Sequence, residues 1–76
     1  MRMRETLARN MRRLRAARRM SQEKLGFEAD ITTTYVSLIE TEKYAASIDV
    51  IERIAIALKV PPSELLVDPP KSRRVK

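Results

Sequence analysis

Residues 21–40 of the chain read SQEKLGFEADITTTYVSLIE, a pattern that indicates two short helices joined by a tight turn. The first half opens with Ser21, whose hydroxyl can cap free backbone amides, and places Leu25 and Ala29 four residues apart on one helical face. This spacing predicts a helix that begins at about Gln22.

The second half opens with another capping residue, Thr32, and sets Val36 and Ile39 three residues apart, so we expect both to face the core. The outward face of this second helix then carries Thr33, Thr34, Ser37 and Leu38. Two helices crossed at such a turn form the helix-turn-helix, whose second helix enters the major groove of DNA. An ordinary helical hairpin is the alternative interpretation.

Three segments carry a family resemblance: SQEKL from residue 21, ITTTYVSLIE from residue 31 and SIDVIERIAIALKVPPSELL from residue 47. Their order and spacing resemble the lambda-repressor-like domain of the Xre/Cro/CI family of bacterial and phage regulators. The resemblance implies an all-α fold, a compact five-helix domain in which helices 2 and 3 form the helix-turn-helix. The short chain is also similar to controller proteins of restriction-modification systems.

The resemblance further implies a sequence-specific transcriptional regulator that binds double-stranded DNA as a homodimer on a pseudo-palindromic operator. Base contacts are expected from the outward face of the third helix, with contact to RNA polymerase as a further option. Contacts with DNA phosphates are expected from Gln22, Thr32, Lys43, Tyr44 and Arg12. The family pattern also predicts a structural ion pair between Arg15 and Glu40, in which the guanidinium and carboxylate tie the first helix to the third.

The chain departs from the family pattern at its reading helix, since residues 32–42 contain no arginine or lysine. Leu38 stands where relatives often carry a polar or basic residue, so we expect contacts with thymine methyls to replace the usual guanine contact. Asp30 and Glu42 replace glycines where a left-handed backbone is often needed. If Glu42 does not adopt that conformation, the loop through Tyr44 should shift.

Charge is distributed unevenly along the chain, whose net charge is +6. Residues 1–19 hold eight arginines and one glutamate, whereas residues 20–70 hold four basic and nine acidic side chains. Leu7, Met11 and Leu14 recur at helical spacing among the arginines and predict an amphipathic first helix. Its cationic face can neutralise phosphates, and the alternative is a solvated helix face. We expect one domain over residues 1–68 and a basic, disordered tail over residues 69–76.

The C-terminal third of the domain is expected to hold a fourth helix capped by Ser47 and a short fifth helix after Pro61 and Pro62. The predicted core stripe of the fourth helix consists of Ile48, Ile51, Ile54, Ala55 and Leu58, with Val50 and Ile56 off the stripe. By resemblance, the candidate homodimer surface consists of Ile56, Leu65, Leu66 and Val67. Core packing is the alternative for Leu65.

Composition excludes several functional classes. The chain has no cysteine and no histidine, so thiolate and imidazole chemistry are absent, and we expect no catalytic residue, no cofactor and no metal. Its single glycine, Gly26, cannot form a phosphate-cradling loop. Without an apolar run or a signal peptide, we expect no membrane partner and a cytoplasmic protein of a prokaryote or phage.

Two other functions remain open from the sequence. The acidic middle and uncharged reading helix also suit a protein-interaction module or an antitoxin-type component that retains the helix-turn-helix fold. Binding of RNA by the arginine-rich first helix is a weaker option, because Leu7, Met11 and Leu14 commit that helix to a core.

Overall fold

Hydroxyl side chains determine where three of the helices begin. The computed structural model describes residues 3–68, which form α1 (Met3–Ala17), α2 (Gln22–Ala29), α3 (Thr33–Glu40), α4 (Ile48–Leu58) and α5 (Pro62–Leu66). The side chains of Ser21, Thr32 and Ser47 accept hydrogen bonds from backbone amides three residues later, at 2.9, 3.0 and 3.1 Å. The predicted starts of α2, α3 and α4 are thereby confirmed.

One core is shared by all five helices. The predicted inward residues Leu7, Met11 and Leu14 of α1 are at most 4% exposed, and Leu25, Ala29, Val36 and Ile39 of the helix-turn-helix are at most 1% exposed. Helix α2 packs against both α3 and α4, while α1 packs against α3 and α5. The all-helical, five-helix prediction is confirmed, and α1 lies between the reading helix and the end of the domain.

The turn between α2 and α3 depends on Gly26. The amide of Ile31 donates to the carbonyl of Gly26 at 2.9 Å, so the chain folds back directly over this residue. A Cβ at position 26 would lie 2.8 Å from the carbonyl oxygen of Ile31. Asp30 adopts a left-handed conformation, with φ of 61°. The lone glycine therefore permits a close backbone approach, and an aspartate supplies the left-handed turn.

The end of α3 follows the family pattern although it lacks glycine. Glu42 has a φ of 68°, so it adopts the left-handed conformation in spite of its Cβ. The amide of Lys43 donates to the carbonyl of Leu38 at 2.9 Å, and the hydroxyl of Thr41 donates to the carbonyl of Ser37 at 2.9 Å. The last carbonyls of α3 are thus satisfied, and the shift of the loop does not arise.

The predicted core stripe of α4 is wrong at two positions. Ile48 is 84% exposed, whereas Val50 is only 6% exposed and joins Ile54 and Leu58 in the core. The apolar residues of α4 occupy more than one face, so spacing alone did not select the buried one. In the folded domain α4 packs against α2 and α5, with Val50 buried and Ile48 at the surface.

One predicted dimer residue must also be corrected. Leu65 is fully buried within the domain, so its side chain cannot contribute to a surface between two copies. The side chain of Asn10 holds α5 against α1, because its Nδ2 donates to the backbone carbonyls of Leu65 and Val67, both at 2.8 Å. Leu66 and Val67 remain exposed. The predicted tail at residues 69–76 lies outside the described residues.

Candidate nucleic-acid interface

The outward face of α3 presents short side chains. Thr33 and Thr34, in the first turn, are exposed, and Ser37 and Leu38, one turn later, are half-buried. Val36 and Ile39 on the opposite face are buried in the core. The hydroxyl of Thr32 accepts a hydrogen bond from the amide of Tyr35, whereas Thr33 and Thr34 are exposed side chains that each carry a hydroxyl and a methyl. The four residues predicted to face DNA bases therefore share one side of a firmly packed helix.

The loop after α3 is held against the helix by an aromatic contact. The rings of Tyr35 and Tyr44 meet edge to face, with their centroids 6.2 Å apart. Tyr44 is still 55% exposed, and Lys43 beside it is also exposed. The two loop residues predicted to contact phosphates thus lie at the C-terminal end of α3. The role of Tyr35 was not predicted, since a half-buried tyrosine gives no helical-period signal.

Glu40 is the centre of a hydrogen-bonded cluster between α1, α2 and α3. Nε and Nη2 of Arg15 donate to its two carboxylate oxygens at 2.7 and 2.9 Å, so the predicted ion pair is present in bidentate geometry. The Glu40 side chain is 2% exposed and that of Arg15 is 18% exposed. The hydrogen bond with Glu40 raises the pKa of Arg15 above its ordinary value, and the charge of Glu40 adds to this shift while partial burial opposes it. The guanidinium therefore stays charged at neutral pH.

Two of the predicted phosphate-binding residues also contact Glu40. The side-chain amide of Gln22 donates to Oε1 of Glu40 at 3.0 Å. Nη1 of Arg12 donates to the backbone carbonyl of Glu40, at the end of α3. Gln22 is half-buried and Arg12 is exposed, so each has one side on the cluster and another at the surface. Sequence spacing did not predict these contacts, because they join residues up to 28 positions apart.

Positive charge lies close to the start of α2. Arg18 and Arg19 are both exposed, and only Met20 separates them from the N-terminal cap of α2 at Ser21. The N-terminal end of a helix carries free amides and partial positive charge, which favour an anion. By contrast, Lys24 on α2 faces Glu28 at 3.4 Å and Arg9 on α1 faces Glu5 at 3.0 Å.

A second exposed surface is apolar and is formed by α1, α4 and α5. Two adjoining surface hollows share Ile51 and Leu66; one also borders Met3, and the other borders Ile48. Ile48 is 84% exposed and Met3 is 42% exposed. Ile56, further along α4, is also exposed. We call the residues Met3, Ile48, Ile51 and Leu66 the apolar face.

Neither a metal centre nor a membrane-spanning helix is found in residues 3–68. This range contains no cluster of three or more carboxylate, histidine or cysteine side chains arranged to hold an ion. Its helices are all too short or too polar to cross a bilayer.

The order of the helices and the capped second and third helices agree with a known family model. The model described as helix-turn-helix matches residues 11–65, most of the described domain. The chain belongs to this helix-turn-helix family, of the Xre/Cro-CI type. The match includes the whole of α2, α3 and α4 and the cluster around Glu40.

Two relatives are similar in sequence to this family member. The Control protein C.BamHI of Bacillus amyloliquefaciens is 53% identical over 47 residues, which cover 62% of this chain and 58% of the relative. A hypothetical transcription factor of Neisseria meningitidis serogroup B is 38% identical over 71 residues, covering 93% of this chain and 66% of the relative. The chain thus spans somewhat less than two thirds of the length of these relatives.

Solved structures show the same fold. The crystal structure of the hypothetical transcription factor NHTF from Neisseria superposes with a TM-score of 0.86 at 37% identity, over 88% of this chain and 77% of that chain. The restriction-modification controller protein C.AhdI from Aeromonas hydrophila superposes with a TM-score of 0.77 at 33% identity, over 79% of this chain and 91% of that chain. Similarity to controller proteins is therefore found in both sequence and structure.

Proposed function

We propose that the chain is a sequence-specific regulator of transcription that binds double-stranded DNA through the outward face of α3. The observation that carries the proposal is this exposed face of Thr33, Thr34, Ser37 and Leu38 on a helix that is buried on its other side and anchored at Glu40. The similarity to a control protein and to transcription factors supports it.

Contacts with phosphates would set the position of α3 in the major groove. The capped N-terminus of α2 and the half-buried amide of Gln22 form one anchor, with Arg18 and Arg19 adjacent. Lys43 and Tyr44 form the other anchor, at the far end of α3. Two further phosphate contacts would come from Thr32, which is exposed at the start of α3, and from Arg12, which is exposed and donates to the carbonyl of Glu40 at the end of α3. Such contacts position the protein, whereas the face of α3 selects the bases.

The regulator would act as a homodimer, so that two copies of α3 read two half-sites about one helical turn apart, roughly 10 base pairs. The apolar face supports this proposal, because an exposed isoleucine and methionine gain most from burial by a second copy. The surface differs from the one expected from the sequence: Leu66 remains a candidate, Ile56 and Val67 are exposed, and Leu65 is excluded.

The mechanism would be occupancy, with bound protein blocking or recruiting RNA polymerase. It includes no covalent step, cofactor or metal. Action on the DNA of a prokaryote or phage would place the protein in the cytoplasm.

Selection from random duplex DNA at near-physiological salt tests the proposal. We expect purified protein to enrich a pseudo-palindrome with half-sites about 10 base pairs apart. A flat pool that binds only at low salt would contradict the proposal, because it would leave non-specific attraction to the arginines as the whole interaction. In that case, capture of a protein partner would favour an antitoxin-type role instead.

Dimer formation is tested by Ile48→Glu. A charge on the apolar face should make the protein monomeric at concentrations where the unchanged chain is dimeric, as measured by sedimentation equilibrium. Phe27→Glu is the matched control, because Phe27 is 82% exposed but lies on α2. An Ile48→Glu protein that dimerises as tightly as the control would show that two copies do not meet through this face.

A further inference from the structure

The reading face of α3 contains side chains of one chemical class. Thr33 and Thr34 each present a hydroxyl and a methyl, Ser37 presents a hydroxyl, and Leu38 presents methyls. Residues 32–42 contain no arginine, lysine, asparagine or glutamine. Yet the two-point contact with guanine requires arginine or lysine, and that with adenine requires asparagine or glutamine.

Three long polar side chains of α1 and α2, those of Arg12, Arg15 and Gln22, are engaged with Glu40. Arg15 uses Nε and Nη2 on the Glu40 carboxylate and Nη1 on the carbonyl of Met20 at 2.8 Å, so all three of its nitrogens are engaged. Gln22 donates one N–H of its side-chain amide to Oε1 of Glu40, which ties this side chain to the cluster. Arg12 donates to the carbonyl of the same residue.

One base remains well matched to a surface of methyls and hydroxyls. Thymine alone presents a methyl group in the major groove, where a threonine methyl can pack against it. Thr33 and Thr34 lie in the exposed first turn of α3. Resting on the proposed DNA-binding function, we propose that Thr33 and Thr34 read thymine through its 5-methyl group, and that no two-point contact with guanine contributes to recognition.

Base analogues separate these two modes of recognition. The probe is the duplex enriched from random DNA, in which each thymine of one half-site is replaced in turn by deoxyuridine, which lacks the 5-methyl. Each guanine is replaced in turn by 7-deazaguanine, which lacks the N7 acceptor. Affinities are measured by fluorescence anisotropy at fixed salt. At one or more thymines, the deoxyuridine duplex should bind about fourfold more weakly, which is the change in affinity expected from the loss of one buried methyl group. Replacement of guanine should change the affinity less than about twofold.

Serine variants identify the residues responsible. Thr33→Ser and Thr34→Ser keep the hydroxyl and lose the methyl, so at least one of them should bind the thymine and deoxyuridine duplexes equally well. Thr41→Ser is the matched control, since Thr41 follows the last residue of α3, serine keeps the hydroxyl that donates to the carbonyl of Ser37, and the thymine preference should persist. Circular dichroism of each variant verifies that α3 is folded.

Three results would overturn the inference. They are equal affinity for every thymine and deoxyuridine pair, a loss of tenfold or more on any guanine replacement, and a thymine preference that survives in both serine variants. In each of these cases the proposed function would stand, because a specific sequence would still be bound. A flat pool in the initial selection would instead reject the proposed function, and with it this inference.

Discussion

Replacement of Glu40 by alanine should destabilise the domain strongly. The change leaves the Arg15 guanidinium, which is 18% exposed, without its carboxylate partner and removes the acceptor of the Gln22 amide. Breaking a buried ion pair by removal of one partner typically costs about 3–5 kcal/mol. Arg15 retains some exposure and its hydrogen bond to the carbonyl of Met20, so we expect the free energy of unfolding to fall by about 2–3 kcal/mol.

Such a loss is large for a chain of this size. At about 0.05–0.15 kcal/mol per residue, a chain of 76 residues has a total stability of about 4–11 kcal/mol. Each kcal/mol lowers the melting temperature of a domain this small by about 4–8 °C. The Glu40→Ala protein should therefore melt about 10–20 °C lower, and thermal and urea unfolding followed by circular dichroism would measure the change.

Glu28→Ala provides the matched control. Its partner Lys24 lies 3.4 Å away in an exposed pair, where removal of one carboxylate should cost no more than about 0.5 kcal/mol. A double variant, Arg15→Met with Glu40→Leu, should lose less than the sum of the single changes, because no charge is left unpaired. A Glu40→Ala protein no less stable than Glu28→Ala would refute the reasoning.

Three other substitutions test the packing. Gly26→Ala should destabilise by about 1–3 kcal/mol in urea because its Cβ would lie 2.8 Å from a backbone oxygen, whereas the usual gain from alanine in a helix would contradict the contact. Lys59→Gly should raise stability by about 0.5–1 kcal/mol because φ at this position is 62°; an equal gain from Lys59→Ala would contradict relief of strain as the cause. Asn10→Ala should cost about 2–3 kcal/mol and speed hydrogen exchange in α5, since two buried carbonyl contacts are lost; unchanged exchange would show that α5 is held otherwise.

Local chemistry made much of the fold predictable. A capping hydroxyl acts on amides three residues away, so Ser21, Thr32 and Ser47 are visible as helix starts in the sequence itself. The stripe of Leu7, Met11 and Leu14 has a single clear face and was predicted correctly for the same reason. A local sequence pattern predicts the structure correctly where only one helical face can be buried.

Helix α4 shows where this reasoning fails. With apolar residues at eight of its eleven positions, several faces suit a core, and only contact with α2 and α5 places Val50 inward and Ile48 outward. The burial of Leu65 likewise depends on Asn10, a polar residue in another helix, which no period identifies. Tertiary packing decides such positions.

The candidate site was predicted in its parts but not in its connections. The outward residues of α3 follow from helical geometry, and the pair of Arg15 with Glu40 from the family pattern. The convergence of Gln22 and Arg12 on the same glutamate depends on how three helices meet. The lack of long donors on the reading face, by contrast, is visible in residues 32–42 of the sequence itself.

Base recognition by α3 is tested most directly by the ratio of the non-specific to the specific dissociation constant. This ratio is measured for the unchanged protein and for a Thr33→Ala/Thr34→Ala variant. For the enriched duplex against a scrambled one, we expect a ratio of at least about 1,000 in the unchanged protein. In the variant it should fall at least tenfold, with an unchanged non-specific dissociation constant and unchanged melting temperature. A folded variant that keeps the full ratio would contradict recognition of DNA by this face of α3.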